Sequence, residues 1–377
     1  MNVLNLPLRP LAIASLGLLG LSAHAFDQKV SGFGTIAAGE TFGQCTQATM
    51  ATAYDDSCTR FIADWAHAGV YTPDLSVRPE SRLGLQWTGN FTNSLSATAQ
   101  GVARLNPGTK ADLEWAYLTD KIDSSWTVQV GRKRLPLYYY SDFQDVGYAY
   151  AMIRPSSDVY GWDVVNYNGA NLDYAGDFGD WSVHASLYGG AEDSRKNKYS
   201  LLVSDDPLDV KWKDIVGGSV ELSRDWLTLR ASYTQSKIQI DDPLAGGQQV
   251  LSSGVMTGRQ NFYGVAALVD YGDWLGRTEL AATNRSDQGY KAWFMYVNAG
   301  HRFGDFTPML QYSQYFETST VGADYVPIHN RTLSAEVRYE ATKSSDLKLQ
   351  FDRDIDTSAV KYTGSANVVS VAYDFVF

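Results

Sequence analysis

Apolar and polar residues alternate along this chain with a period of two, which is the pattern of β-strands that have two different faces. The alternation is clearest over the last ten residues. Five apolar side chains share one face there: Val369, Val371, Tyr373, Phe375 and Phe377. Segments such as 306–313, 331–342 and 346–352 repeat the pattern, with polar and often charged residues on the second face. We therefore predict that most of the chain forms strands.

The predicted strands are joined by connections of two kinds. We predict sixteen strands, at 28–38, 80–89, 94–104, 110–121, 125–133, 166–176, 180–190, 213–223, 226–237, 260–272, 274–284, 291–302, 306–317, 331–342, 346–355 and 367–377. The long connections include 39–79, 134–165, 191–212 and 238–259, while seven others span one to four residues. An even strand number and alternating turns and loops are typical of bacterial membrane barrels.

Two arrangements fit strands of this kind. A soluble sandwich buries the apolar faces inside, whereas a membrane barrel turns them to lipid and lines a wet lumen with the polar faces. An open sheet edge carrying Tyr373, Phe375 and Phe377 would invite aggregation, which favours closure of the sheet. The predicted fold class is therefore all-β: a closed transmembrane antiparallel β-barrel of sixteen strands, with short periplasmic turns and long extracellular loops.

The first 25 residues have the pattern of a secretory signal peptide. Arg9 is the only charged residue before Asp27, an apolar stretch runs over 11–21, and Ala23-His24-Ala25 offers a cleavage site. A membrane anchor is the alternative, but eleven apolar residues are too few to span a bilayer. We expect residues 1–25 to be removed on export and residues 26–377 to form a single barrel domain.

Composition narrows the class of partner and the chemistry. The 377 residues carry a formal net charge of −11, which argues against a nucleic-acid binder because phosphates require a basic face. Only two cysteines are present, Cys45 and Cys58, both in the first long connection. An oxidising compartment favours a disulfide between them, and two free thiols are the alternative. We predict no metal site and no cofactor, because no cluster of histidine and cysteine ligands is present.

Four segments carry a resemblance to a known family. They are Ser81-Arg82-Leu83-Gly84-Leu85, Val130-Gly131-Arg132, Val216-Gly217-Gly218-Ser219-Val220 and the terminal Tyr373-Asp374-Phe375-Val376-Phe377. In order and spacing they resemble the general, non-specific porins of Gram-negative outer membranes, over the whole mature chain. The resemblance implies a homotrimer in the outer-membrane lipid that passes small hydrophilic solutes and ions by passive diffusion.

The resemblance also implies a constriction inside the barrel. Segment 134–165 matches the third porin loop, which folds into the lumen and narrows it. The candidate constriction residues are Arg82, Arg104 and Arg132 on the wall and Asp142 and Asp145 on the loop, with Asp158 as a further acid. Arg82 and Arg132 match porin positions that form a basic ladder. Alternation puts Arg132 on the face of Trp126, away from the lumen, unless Gly131 introduces a kink or bulge.

Three consecutive tyrosines, Tyr138, Tyr139 and Tyr140, open this loop. They either line a path that suits sugars or pack the loop against the wall. The loop lacks the Pro-Glu-Phe-Gly-Gly tip of enterobacterial porins.

We predict a diffusion channel with a weak preference for cations, because the acidic balance of the mature chain favours cations in a charged lumen. The alternative is a plugged barrel that serves mainly as a surface adhesion or binding protein, which the long polar loops permit. An enzyme is disfavoured. The pair His184 and Ser186 is spaced as in outer-membrane phospholipases, but alternation directs both side chains into the lumen rather than towards lipid.

Overall fold

The computed structural model describes residues 27–43, 59–106, 111–203, 208–241, 257–285, 289–319, 326–359, 361 and 363–377. The predicted signal peptide, Cys45 and Cys58 lie outside the described residues. None of the helices in the described part of the chain is long and apolar enough to cross a membrane.

Strands make up nearly all of the regular structure. In chain order they are β1 Asp27–Phe42, β2 Phe61–Asp64, β3 Gly69–Tyr71, β4 Arg82–Asn90, β5 Leu95–Arg104, β6 Ala111–Lys121, β7 Trp126–Arg134, β8 Asn166–Phe178, β9 Trp181–Ser194, β10 Asp209–Arg224, β11 Leu227–Asp241, β12 Thr257–Tyr271, β13 Trp274–Arg285, β14 Tyr290–His301, β15 Phe306–Ser319, β16 His329–Thr342, β17 Ser345–Asp356 and β18 Ala366–Val376. Among the described residues, the helical segments are two 3-10 turns, Ser141–Phe143 and Gly147–Ala149, and one short helix, α1 Ser200–Val203.

Sixteen of these strands form one closed barrel, as predicted. Each strand from β4 to β18 pairs antiparallel with its neighbour in sequence, and β1 joins the two ends by pairing with β4 and β18. The last strand closes the sheet in register, with Ile36 opposite Tyr373 and Gly34 opposite Phe375. Closure removes both sheet edges, which is why the aromatic C terminus is not left at an open edge.

The barrel strands expose their apolar face and bury their polar face, which is the reverse of a soluble protein. On β17, Leu347, Leu349 and Phe351 face outward and are 48%, 51% and 40% exposed, while the alternating Lys348 and Gln350 are buried within the barrel. The other barrel strands repeat this pattern with exposed apolar residues such as Leu310, Leu333 and Val371. An apolar outer surface and a polar interior are the pattern of a barrel surrounded by lipid.

Several strands run up to four residues beyond the predicted spans, and two elements break the predicted pattern. The long first connection contains a small hairpin, β2 and β3, whose short strands are too brief to give a clear alternation. Strand β10 begins at Asp209 rather than at residue 213, because a bulge between Lys213 and Val216 reverses the order of inward and outward residues. Asp214 has a positive φ of 51° within this bulge. Because of the bulge, residues 209–213 do not continue the alternation of the rest of the strand, so strict alternation does not predict them as part of it.

Candidate functional site

Residues 135–165, called loop three below, pass through the lumen and are bound to opposite walls. On one side the Arg230 guanidinium of β11 donates to the main-chain oxygen of Pro136 (2.7 Å). On the other side the Lys348 ammonium of β17 donates to the main-chain oxygen of Gly147 (2.6 Å). Strands β11 and β17 are six positions apart around the sixteen-stranded barrel. Loop three therefore divides the lumen instead of lying along one wall.

Asp145 of loop three meets a group of buried charges on the wall of β5–β7. Both of its carboxylate oxygens accept hydrogen bonds from Nη2 of Arg104 (2.8 Å each), and Arg134 contacts the same carboxylate. Glu114 lies beside them, 2.8 Å from Arg104 Nη1 and 3.2 Å from Arg134 Nη2. Two arginines and two carboxylates therefore form a closed network, called the Asp145 cluster below.

Water is nearly absent from the Asp145 cluster, because its four side chains are at most 7% exposed. Burial alone would raise the pKa of Asp145, since a carboxylate loses its hydration there. The charges of Arg104, Arg134 and Arg82 outweigh burial and hold that pKa well below its usual range. Asp145 is therefore ionised throughout the physiological pH range.

Arg82 reaches the same segment of loop three by a different route. Its Nε donates to the main-chain oxygen of Asp145 (2.9 Å), and its Nη2 donates to the hydroxyl of Tyr150 (3.0 Å). Of the predicted constriction residues, the structure thus brings Arg82, Arg104 and Asp145 together. They are in direct contact, with no water-filled gap between base and acid.

Arg132 and Asp142 lie apart from this cluster. Arg132 pairs with Glu192 of β9 (2.8 Å), and its Nε donates to the main-chain oxygen of Leu113 (2.7 Å). Gly131 has the positive φ of 142° that a kink requires, but the kink does not bring Arg132 to Asp145. Asp142 lies in the first 3-10 turn of loop three with its side chain exposed. The basic ladder implied by the porin resemblance is therefore present only in part.

The sequence reasoning missed two members of the Asp145 cluster, Arg134 and Glu114. Arg134 ends a run of three basic residues directly before loop three, and that run is the signal that could have identified it. Glu114 lies where the pairing of β5 with β6 shifts between Gln100 and Gly101. A shift of this kind changes which residues face inward, so alternation alone could not place Glu114 in the lumen.

A second buried network, called the Arg154 cluster below, binds loop three to the opposite wall and to the β2–β3 hairpin. Arg154 pairs with both carboxylate oxygens of Glu80 (2.8 and 2.6 Å) and with Asp352 of β17 (2.6 Å). Its Nη2 also donates to Ser370 Oγ (2.7 Å). The Tyr71 hydroxyl of β3 donates to Glu80 (2.8 Å). One guanidinium thus joins the hairpin, loop three and two strands.

Asp158 has a supporting role in the same region and does not face a base. It accepts hydrogen bonds from Ser313 Oγ of β15 (2.6 Å) and from the Asn330 amide of β16 (3.0 Å). Burial is the main reason that the pKa of Asp158 is raised. Asp158 therefore holds loop three against β15 and β16.

Aromatic packing completes the attachment of loop three. Tyr138 packs edge-on against Phe262 of β12 (5.2 Å between ring centroids) and lies 4.5 Å from the ring of Tyr160. The hydroxyl of Tyr160 and the main-chain N–H of Tyr139 (2.9 Å) both donate to Glu279 of β13. Tyr138 and Tyr140 are buried and Tyr139 is half-buried. This packing favours the interpretation that the tyrosines hold the loop against the wall.

The open side of the lumen is opposite the covered wall. The lumen-facing side chains of β17 are all buried: Asp346, Lys348, Gln350, Asp352, Asp354 and Asp356. Of these, Lys348, Gln350 and Asp352 contact loop three directly. On β7–β11, in contrast, a set of polar lumen-facing side chains is half-buried or exposed: Thr127, Gln129, Lys133, Asp173, His184, Glu221 and Arg230. Water therefore reaches the lumen on the side of β7–β11, where Asp142 is exposed.

One group of side chains has the composition of a metal site. Ligand atoms of His67, Asp112 and Glu114 lie within 4.8 Å of one another. Arg104 Nη1 lies 2.8 Å from Glu114 and 3.4 Å from Asp112, and the ammonium of Lys198 lies 3.2 Å from Asp112. These cations occupy the positions next to the carboxylates that a metal ion would need. We therefore assign no metal to this group.

The contact between Asp64 and His67 predicts how the hairpin responds to acid. His67 Nδ1 lies 2.8 Å from Asp64. Burial raises the pKa of Asp64, but His67 and Arg104 lower it to about 2. Because the folded-state pKa is depressed, the stabilisation is present above about pH 4 and is lost as the pH falls towards 2.

We expect Asp64→Asn to lower the free energy of unfolding by about 2 kcal/mol at pH 7, since each unit of pKa corresponds to about 1.4 kcal/mol. The unfolding temperatures of wild type and variant should converge as the pH falls from 4 to 2. A difference that does not change with pH would show that Asp64 acts through something other than its charge.

Comparison with known proteins gives likeness of fold without likeness of sequence. No protein-family model matches the chain, and no curated protein matches its sequence. Among solved structures, the outer membrane channel DcaP of Acinetobacter baumannii has 12% identity and a TM-score of 0.60, with 96% of this chain and 100% of that chain covered.

Two porins give a similar result. Salmonella typhi OmpF, solved with daunomycin, has 14% identity and a TM-score of 0.60 over 93% of this chain and 97% of that chain. The anion-selective porin from Comamonas acidovorans has 15% identity and a TM-score of 0.56 over 93% and 100%. Identities this low establish shared architecture alone. The chain therefore has the closed sixteen-stranded fold of the outer-membrane porins.

Proposed function

We propose that this protein is an outer-membrane porin, a homotrimeric channel for passive diffusion of small hydrophilic solutes and ions. Export through a cleaved signal peptide at residues 1–25 is part of this proposal. The support is the closed barrel with an apolar outer surface, a polar lumen crossed by loop three, and the likeness of fold to outer-membrane channels. A channel of this kind has no catalytic residue and needs no cofactor.

The asymmetric burial of the lumen is the observation that carries the proposal. The β15–β18 wall is covered by loop three, whereas β7–β11 present polar side chains that water reaches. Solutes pass between loop three and β7–β11, beside Asp142, Lys133 and Glu221. The Asp145 cluster then joins loop three to the wall of β5–β7 and closes one edge of this passage. We call this junction the seam, and solutes do not pass through it.

Weak cation preference is part of the proposal, although one porin of similar fold is anion-selective. Along the proposed passage the accessible acids Asp142, Asp173 and Glu221 outnumber the bases Lys133 and Arg230. In a planar bilayer we expect small conductance steps in groups of three, with a reversal potential that favours potassium over chloride. A reversal potential of the opposite sign would contradict the cation preference.

Two lumen-facing glutamates locate the passage. Glu221 on β10 is half-buried on the open side, and Glu336 on β16 is 3% exposed on the covered side. We expect Glu221→Gln to reduce cation preference, because an accessible lumen charge attracts counter-ions, and Glu336→Gln to leave it unchanged. Reversal potentials of the two variants under one salt gradient are the measurement. The opposite ranking would place the passage behind loop three.

A plugged barrel is the second candidate, because aromatic residues of the barrel wall form one buried cluster with loop three inside the lumen. Tyr167, Trp212, Phe262 and Phe294 are each at most 1% exposed and pack against loop three. A surface adhesion or binding role would follow if the intact trimer conducts no ions. Absence of conductance from protein that still shows heat-modifiable migration on gels would favour this candidate over the porin.

A further inference from the structure

Three of the connections on the loop-three side of the barrel meet in one apolar cluster. Ile62 and Ala68 of the β2–β3 hairpin and Leu202 of α1 are buried together. Four half-buried side chains pack against them: Trp65, Val70, Leu201 and Ile328. We call these seven residues the apolar roof. They come from the connections that follow β1, β9 and β15.

The position of the apolar roof follows from where its three segments leave the barrel. Around the closed sheet, the connections after β1, β9 and β15 are separated by six, six and four strands. Segments that start at points spread around the whole rim meet over the lumen, and not at one edge of the barrel. The roof therefore covers the centre of the mouth on the side of the long loops.

Trp65 joins the apolar roof to loop three. Its indole N–H donates to the main-chain oxygen of Ser157 (3.0 Å), and its ring lies 5.8 Å from the ring of Tyr199, which precedes α1. Gly161 of loop three faces the same indole. A Cβ atom on Gly161 would lie 3.0–3.2 Å from three of the indole atoms, so glycine leaves the space that the ring occupies. One side chain therefore holds the hairpin, the α1 connection and loop three together.

Hydrogen bonds from two buried amides fix the same segments at their margins. The Asn197 side chain, next to α1, donates to the main-chain oxygen of Asp163 in loop three (2.7 Å). The Asn106 side chain, at the end of β5, donates to the main-chain oxygen of His67 in the hairpin (3.0 Å). The apolar roof is therefore anchored both to loop three and to the barrel rim.

The apolar roof is small compared with the packing beneath it. Only three of its seven side chains are buried, and they form a cluster separate from the larger one that contains Tyr138 and Phe262. Local opening costs less free energy where few apolar side chains are buried. Removing one large side chain can therefore separate the roof while the barrel stays folded.

We propose that the apolar roof limits the size of the solutes that enter the channel, and that Trp65 holds the roof in place. The inference rests on the proposed function, because only a conducting channel has a size limit. Apolar constrictions lose their water and exclude ions and polar solutes. Solutes must therefore pass beside the roof to reach the passage between loop three and β7–β11. Trp65 is a positioning residue, because it acts through the roof.

Liposome swelling separates size selection from a general loss of structure. Wild type and Trp65→Ala are reconstituted, and uptake of the trisaccharide raffinose is compared with uptake of the pentose arabinose. We expect Trp65→Ala to raise the ratio of raffinose to arabinose uptake several-fold, with little change in arabinose uptake itself. Trp65→Phe keeps an aromatic ring against Gly161 and should keep most of the wild-type ratio. The matched control is Trp226→Ala, which removes an exposed indole from the turn before β11 and should leave the ratio unchanged.

A labelling experiment tests the roof without relying on conduction. In a chain with Cys45→Ser and Cys58→Ser, the substitution Ser157→Cys places one thiol beside Trp65. A maleimide too large to pass the channel is added to intact cells, and we expect it to react several-fold faster when Trp65→Ala is also present. Equal labelling rates, or an unchanged ratio of sugar uptake, would overturn the proposal. Faster labelling without sugar uptake by either protein would overturn the channel itself, and size selection with it.

Discussion

Replacing Asp145 by asparagine is expected to raise the single-channel conductance several-fold. The carboxylate of Asp145 joins loop three to Arg104 and Arg134, and all three side chains are buried. Removing one partner of a buried ion pair costs roughly 3–5 kcal/mol, because the remaining charges lose their compensation. Glu114 alone would face two guanidinium groups. We expect loop three to detach from β5–β7 and open the seam, which planar-bilayer recordings measure directly.

Asp142→Asn is the matched control, because Asp142 belongs to the same loop but has an exposed side chain. Because Asp142 borders the proposed passage, we expect this variant to lose part of the cation preference without the several-fold rise in conductance, and its unfolding temperature should not change. If Asp145→Asn destabilises the protein without changing conductance, the cluster stabilises the loop but does not border the passage. If both variants conduct equally, the charge of Asp145 does not hold the seam closed.

Replacing Arg154 by methionine is expected to release the β2–β3 hairpin and to lower the unfolding temperature markedly. Glu80 and Asp352 would be left buried without their cation, at a cost of roughly 3–5 kcal/mol. Tyr71 would also lose the arrangement that fixes its hydrogen bond to Glu80. Cleavage of the first long loop by an added protease, followed over time, reports release of the hairpin.

A triple variant separates charge from packing in this cluster. Arg154→Met combined with Glu80→Gln and Asp352→Asn removes the cation together with both anions, and we expect it to recover much of the lost stability. Arg78→Met is a control for the loss of a nearby exposed arginine and should change little. If the triple variant is as unstable as Arg154→Met alone, the packing of the guanidinium against Phe61 and Tyr71 is the larger contribution.

The barrel could be predicted from the sequence because a period of two is a property of each strand by itself. Leu347, Leu349 and Phe351 alternate with polar residues whatever surrounds them, and sixteen such segments suffice to give the fold. The β2–β3 hairpin and the bulge in β10 were not predictable in this way. The hairpin strands are very short, and the bulge reverses the alternation at Asp214.

The site was predictable only in part, because its contacts join residues far apart in the sequence. Arg82, Arg104 and Asp145 were identified by face and by resemblance, and the structure brings them together. Arg154 contacts Asp352 across 198 positions of the chain, and no local pattern indicates that contact. For Arg132 the resemblance predicted a role that the contacts do not match. Its position corresponds to the basic ladder of porins, but its partner in this structure is Glu192.

The aromatic wall beneath loop three limits how this barrel can be engineered. Shortening the third loop of a barrel whose inner wall is polar would give a wider aqueous pore. Here the same deletion would expose Phe262, Phe294 and Trp212 to water inside the barrel. Burial of a large aromatic side chain contributes roughly 1.5–3 kcal/mol. The exposed aromatic side chains would therefore bind detergent or lipid tails. A wider pore in this scaffold requires polar replacements on β10, β12 and β14 together with the loop deletion.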